Sequence, residues 1–175
     1  MSTFDENWIP VVYRFISYLK FLGSASNQHG VHSPFIYAFV TKGLYTKGNK
    51  QGSITENVLV KSIRYFSLKK VRIASDSNQL KVKLNSIFKD LEYDTLPCDL
   101  MYVEHPDDLL KNSDPKYIDN DSVLLVKDIY KSRSDTEKWI ALKKLEQVTV
   151  TIDLYHCGIA FFRKEQAKEH FKIRI

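Results

Sequence analysis

Ala74-Ser75-Asp76-Ser77-Asn78 joins a β-branched stretch, Val71 and Ile73, to an amphipathic one. A strand, a tight turn and a helix start in that order is where α/β proteins bind nucleotides. Such turns use glycine to bring backbone N–H groups against a ligand, and this one has none. A ligand held here would rest on Ala74 and on the side chains of Ser75 and Asp76. Glu104 beside His105, at the end of another apolar stretch, has the composition of an acid–base pair, although a strand-end carboxylate next to an exposed imidazole is more often a surface pair. His29 and His32 could face a substrate or a metal, but Ser33-Pro34 already explains the segment as a helix start. His156 and Cys157 lack a third partner at a telling spacing, which argues against a Cys/His nucleophile.

From Lys70 onward, alternating strands and helices must position these residues. Val71 to Ala74 predicts the first strand, and Leu80, Leu84, Ile87, Phe88 and Leu91 recur at the spacing of a helix over Gln79 to Leu91. Leu100 to Glu104, Ser122 to Lys127, Val148 to Leu154 and Ile159 to Phe162 predict further strands. Of these, Val123-Leu124-Leu125-Val126 is expected to be covered on both faces. A short helix is expected after Pro106, and Ser134 with Glu137 reads as a capping box opening a helix that carries Trp139, Ile140, Leu142 and Leu145. A helical turn over Glu165 to His170 and a strand over Lys172 to Ile175 close the chain. The alternation predicts a mostly parallel sheet, and the short link Tyr155-His156-Cys157-Gly158 makes the strand after it antiparallel.

Three helices are predicted before Lys70: Pro10 to Leu22, one from Ser33-Pro34 to near Gly43, and one from the Ser53–Glu56 capping box to before Lys69. Residues 1–52 are expected to form a helical extension packed on an α/β core of residues 53–175. Phe15, Tyr18, Phe21, Phe35, Tyr37 and Phe39 would cover the sheet or pack the helices together. A charged fraction of 27% and a hydrophobic fraction of 43% over 175 residues are those of an ordinary globular chain. The apolar run Ile9 to Leu22 contains Arg14 and Lys20 and is too short to span a bilayer, and with acidic Asp5 and Glu6 before it a cytoplasmic protein with no membrane partner is expected. Cys98 and Cys157 have no partner at metal-ligand spacing, which fits a reducing compartment. The net charge of +5 is spread over helix faces, so nucleic-acid binding is the weakest of the readings.

The layout resembles that of class I S-adenosylmethionine-dependent methyltransferases, and three stretches narrow the resemblance. His29-Gly30-Val31-His32-Ser33-Pro34-Phe35-Ile36-Tyr37 resembles the pre-core motif of a bacterial, largely Bacteroidetes, group of small O-methyltransferase-like proteins. Asp99 to Glu104 is similar to that group's fourth core strand. The tail from Ser122 through Thr151-Ile152-Asp153-Leu154-Tyr155 to Gln166 is similar to its fifth strand, following helix and closing hairpin. The resemblance implies a Rossmann-like fold with S-adenosylmethionine held at Ala74, Ser75 and Asp76.

Several positions depart from the family pattern. The turn after the first strand lacks its acidic residue and glycines. Between Ala74 and Asp99 lie only 24 residues, too few for two further strand–helix units, so the strand whose terminal acid would hold the ribose is expected to be missing. Divalent-metal variants of the family carry an acid at the end of the fourth strand and an acid pair at the end of the fifth. Glu104 and Asp128 match two of these positions, but Lys127 replaces the first acid of the pair. An ammonium is no ligand for a hard cation, so an ion pair of Lys127 is expected in place of a metal site. The histidine and tryptophan that follow the fifth strand in the family are replaced by Tyr130 and Lys131, and the histidine after its fourth strand aligns with Asp107, near His105.

These departures lead to the expectation of a truncated Rossmann-like α/β domain with no bound S-adenosylmethionine and no metal, acting as a non-enzymatic binding or oligomeric protein. The alternative is an active methyltransferase with a rebuilt pocket, its catalytic residues drawn from Glu104, His105 and Asp128. Loss of the neighbouring strand would expose the edge of the first, and an unpaired edge is blocked or used for association, so a homodimer is expected through a surface the sequence does not identify. The sequence names no small-molecule ligand.

Overall fold

The structure, a computed structural model, describes residues 8–47, 52–74, 78–104 and 116–175. Helix α1 spans Trp8–Ser24. After a 3-10 turn at Gln28–Gly30, α2 runs over Pro34–Phe39 and continues as one π-helical turn, Val40–Leu44. Helix α3 covers Ile54–Phe66, β1 Lys70–Ala74, α4 Asn78–Ile87, β2 Glu92–Tyr93, β3 Leu100–Val103 and β4 Val123–Lys127. Helix α5 follows at Arg133–Lys144, then β5 Val150–Asp153, β6 Cys157–Phe161 and β7 Glu169–Lys172.

The starts of α2 and α3 are those read from the sequence. Ser33 accepts the Ile36 N–H at 3.4 Å, and Ser53 accepts the Glu56 N–H at 3.2 Å, each satisfying a first-turn donor that has no partner within its helix. Helix α5 begins two residues earlier than predicted. Its cap is Ser132, whose hydroxyl accepts the Asp135 N–H at 3.1 Å and donates to the Asp135 carboxylate at 2.6 Å. The acid three residues after Ser132 closes the box that Glu137 was expected to close from Ser134.

One seven-stranded sheet results, in the order β2-β1-β3-β4-β6-β5-β7. Only β6 runs against the others, as the short link before it requires. Two predictions fail in the same way, because lateral pairing takes residues that local pattern assigns to a helix. Helix α4 stops at Ile87 rather than Leu91, and Glu92–Tyr93 pairs parallel with Lys70–Val71. No helical turn forms over residues 165–170. Glu169–Lys172 instead pairs with Val150–Asp153, where the Glu169 N–H reaches the Thr149 carbonyl at 2.9 Å. The helix expected after Pro106 lies outside the described residues.

The sheet is covered on both sides. Ile36, Phe39 and Val40 from α2 and its π-turn, with Val58, Leu59 and Ile63 from α3, pack on Val71, Leu100, Val123, Ile159 and Phe161. On the other face Trp139 and Leu142 of α5 pack on Met101, Leu124, Val126 and Ala160. All four residues of β3 and the first four of β4 are buried, as a strand covered on both faces requires. Gly158 of β6 makes the approach of α5 possible: a Cβ there would stand 2.5 to 2.8 Å from the Trp139 ring.

Candidate functional site

In an open parallel sheet, ligands bind outside the carboxyl ends of the strands, where helix starts and loops converge. In this sheet that edge runs Ala74, Val103, Val126, Gly158, Asp153, which stand in register across five adjacent strands. Ala74 is half-buried at the end of β1. Ser75, Asp76 and His105, named from the sequence as cofactor and acid–base candidates, lie outside the described residues.

Glu104 follows β3, and Lys127 is the last residue of the adjacent β4. Their charged ends come within 3.8 Å, the ion pair the sequence led us to expect at Lys127. Both side chains are partly open to solvent, so the pair occupies the space between the strand ends more than it stabilises the fold. Asp128 takes up left-handed backbone (φ 53) and donates its N–H to the His156 carbonyl at 2.8 Å. Glu104 and Asp128 therefore follow adjacent strands along the edge, and the Lys127 ammonium pairs with Glu104. Among the described residues no group of three His, Cys, Asp or Glu is placed to hold a metal ion.

The other half of the edge holds a network that the sequence reading missed. Asp153, the last residue of β5, is 2% exposed. One carboxylate oxygen accepts the Tyr130 hydroxyl at 2.6 Å, the other the Tyr155 N–H at 3.0 Å. Burial pushes the carboxyl above the usual aspartate range, against the pull of these two bonds and of Lys143 and Lys172. Burial and the Asp153 charge push the Tyr130 phenol up in turn, so the proton of this bond stays on tyrosine. The Tyr130 ring stacks on that of Tyr155 with centroids 5.1 Å apart, and the Tyr155 hydroxyl donates to the Arg14 carbonyl of α1 at 2.6 Å. A signal for this network exists in the sequence: an aspartate ending an apolar run, two residues before a tyrosine, is the pattern of an Asx turn.

Between α1 and this network lies a cleft of about 170 Å³, lined by Arg14, Asp128, Tyr130, Lys131, Tyr155 and His156. That volume includes space open to solvent, so the cleft is a shallow dent between side chains. Burial lowers the pKa of His156 in its wall, and the charge of Asp128 partly offsets the shift. Cys157 is fully buried at the start of β6, with its thiol pushed up to about 12, and burial holds Cys98 near about 11. Neither supplies a thiolate at neutral pH, in line with the sequence argument against a Cys/His nucleophile. His29 and His32 are exposed beside the 3-10 turn, where Asn27 accepts the His29 N–H at 3.1 Å.

One expectation about the first strand needs correction. A strand does stand beside β1 where none was expected: β2 lies parallel to it and is followed by Asp94, whose carboxylate pairs with Lys81 at 3.2 Å. Two residues suffice because α4 ends early and leaves Phe88 to Leu91 as the return. It covers β1 along Lys70–Val71, and among the described residues Arg72 to Ala74 pair with no strand on that side. Compared with protein-family models, curated proteins and solved structures, the chain matches none.

Proposed function

We propose that this chain is a shortened methyltransferase-like α/β domain that no longer binds S-adenosylmethionine and acts as a non-catalytic binding or association module. The observation that carries this reading is the set of side chains that occupy the carboxyl edge among the described residues. Lys127 pairs with Glu104 at 3.8 Å, and Tyr130 and Tyr155 close over Asp153. Isothermal titration calorimetry of the purified chain with S-adenosylmethionine and S-adenosylhomocysteine tests the reading. Absence of binding heat is the expected result, and micromolar affinity for either would overturn it.

One observation favours the alternative of a working methyltransferase with a rebuilt pocket. Asp94 follows a strand beside β1, which is the place for an acid that holds ribose hydroxyls. On that reading Asp94, with Ala74, Ser75 and Asp76, holds the cofactor, and Glu104, His105 or Asp128 serves the acceptor. The variants Asp94→Asn and Asp76→Ala would then weaken binding without unfolding the chain, while a wild type that binds nothing ends this alternative.

A further inference from the structure

Helix α1 is mounted with its apolar side outward. Its inner side meets the domain through buried Ser17 and Phe21, the Tyr13 hydroxyl bond to Thr136 at 2.8 Å, and the Tyr155 bond to the Arg14 carbonyl. Its outer side carries Val11, Val12, Phe15, Ile16 and Leu19, with Tyr18 at the margin, edge-on to the Tyr155 ring at 4.9 Å; each of the six is at least 40% exposed, with Phe15 at 63%. These are half of the exposed large hydrophobic residues among those described, gathered within nine positions. At 100° per residue they fall on one continuous arc, and Arg14 and Lys20 stand at its two margins. The helix contains no acidic residue, and no described carboxylate lies within ion-pairing distance of Arg14 or Lys20. A continuous apolar face left to water marks a surface meant to be covered.

We infer that α1 lies in the plane of an anionic lipid surface, with Val11 to Leu19 entering the acyl boundary and Arg14 and Lys20 reaching back to the headgroups. A helix with an apolar arc flanked by cations is the arrangement that interfacial helices use, and its anchoring strength comes from apolar area plus attraction to anionic lipid. Charge decides between lipid and a second copy of the chain. Two α1 helices packed face to face would align Arg14 and Lys20 of both copies with no acid within either helix to answer them, whereas anionic headgroups supply countercharge. The absence of a described helix able to cross a membrane is compatible with this, because an in-plane helix does not cross. The inference is independent of the reading of the carboxyl edge.

Flotation of the purified chain with phosphatidylcholine vesicles, alone or with phosphatidylglycerol, tests it. Partition onto the phosphatidylglycerol vesicles is expected, falling as salt rises and about fivefold for each of Arg14→Gln and Lys20→Gln. The double variant Phe15→Glu/Leu19→Glu alters exposed side chains only and should lose partition about a hundredfold while keeping its circular dichroism and unfolding midpoint. Vesicle binding unchanged in that variant would overturn the inference. So would a wild type that ignores anionic vesicles, with or without a dimer in light scattering that the same variant dissociates.

Discussion

Helices α1 and α3 are built from similar stripes of apolar residues, and they spend them on opposite surroundings. In α3, Val58, Leu59 and Ile63 are at most 2% exposed against the sheet. In α1 the corresponding stripe faces away from the protein, and polar bonds with a few aromatic contacts hold the helix in place. Amphipathic pattern by itself therefore marks a face that will be covered without saying by what. The sheet covers one face, and the other is left for something outside the domain. Most of the apolar burial that stabilises the fold lies in the α2–α3 layer, while α1 is attached by contacts that can loosen separately.

The largest effects that would break this contrast are in the core. Leu59→Ala or Phe39→Ala should cost about 2–5 kcal/mol in urea unfolding, because both residues are fully buried in the α2–α3 layer. Phe15→Ala on α1 should stay within about 0.5 kcal/mol of wild type. Comparable losses at the two places would mean that the outer face of α1 is buried after all.

Two glycines sharpen the comparison. Gly158→Ala should cost about 1–3 kcal/mol, because the new Cβ meets the Trp139 ring. Gly23→Ala, in α1 with nothing within 4 Å of the added atom, should instead gain roughly 0.5–1 kcal/mol from helix propensity. Thermal unfolding of the pair reads both signs.

Much of this arrangement was legible in the sequence, and its limits are physical. Periodicity located α1, α2, α3 and the strands up to β6 because each carries a repeat set by one buried face. Ser33 and Ser53 announced their caps, and Lys127, standing where the resemblance places an acid, announced its ion pair. Strand β2 stayed hidden and the closing strand was expected three residues late, over Lys172 to Ile175 rather than Glu169–Lys172, because two to four residues hold no period and their pairing partners are distant in sequence. The Asp153–Tyr130–Tyr155 network stayed hidden because it depends on stacking across two loops. The direction of the α1 stripe is the clearest case, since an outward and an inward apolar face have the same sequence signature.

Smaller effects test how α1 is joined. Tyr155→Phe removes the hydroxyl that reaches the Arg14 carbonyl and should cost about 1 kcal/mol. Faster hydrogen exchange should appear in α1, and the amides of α3 should be unchanged. Asp153 gives the smallest signal, a pH dependence. Its folded carboxyl binds the proton more tightly than the unfolded chain does, so this group makes stability fall as pH rises from the ordinary aspartate value through the raised folded one. Asp153→Asn should remove that slope, visible as a difference in urea midpoint between variant and wild type that changes as pH rises above the ordinary aspartate value of about 4.

The central proposal is that the chain no longer binds S-adenosylmethionine at the carboxyl edge of the sheet. Titrating isotope-labelled protein with S-adenosylhomocysteine, followed amide by amide in NMR spectra, tests it most directly. The account predicts that Ala74, Asp94, Glu104 and Asp128 keep their positions up to millimolar ligand. Saturable shifts gathered at those four amides would contradict it.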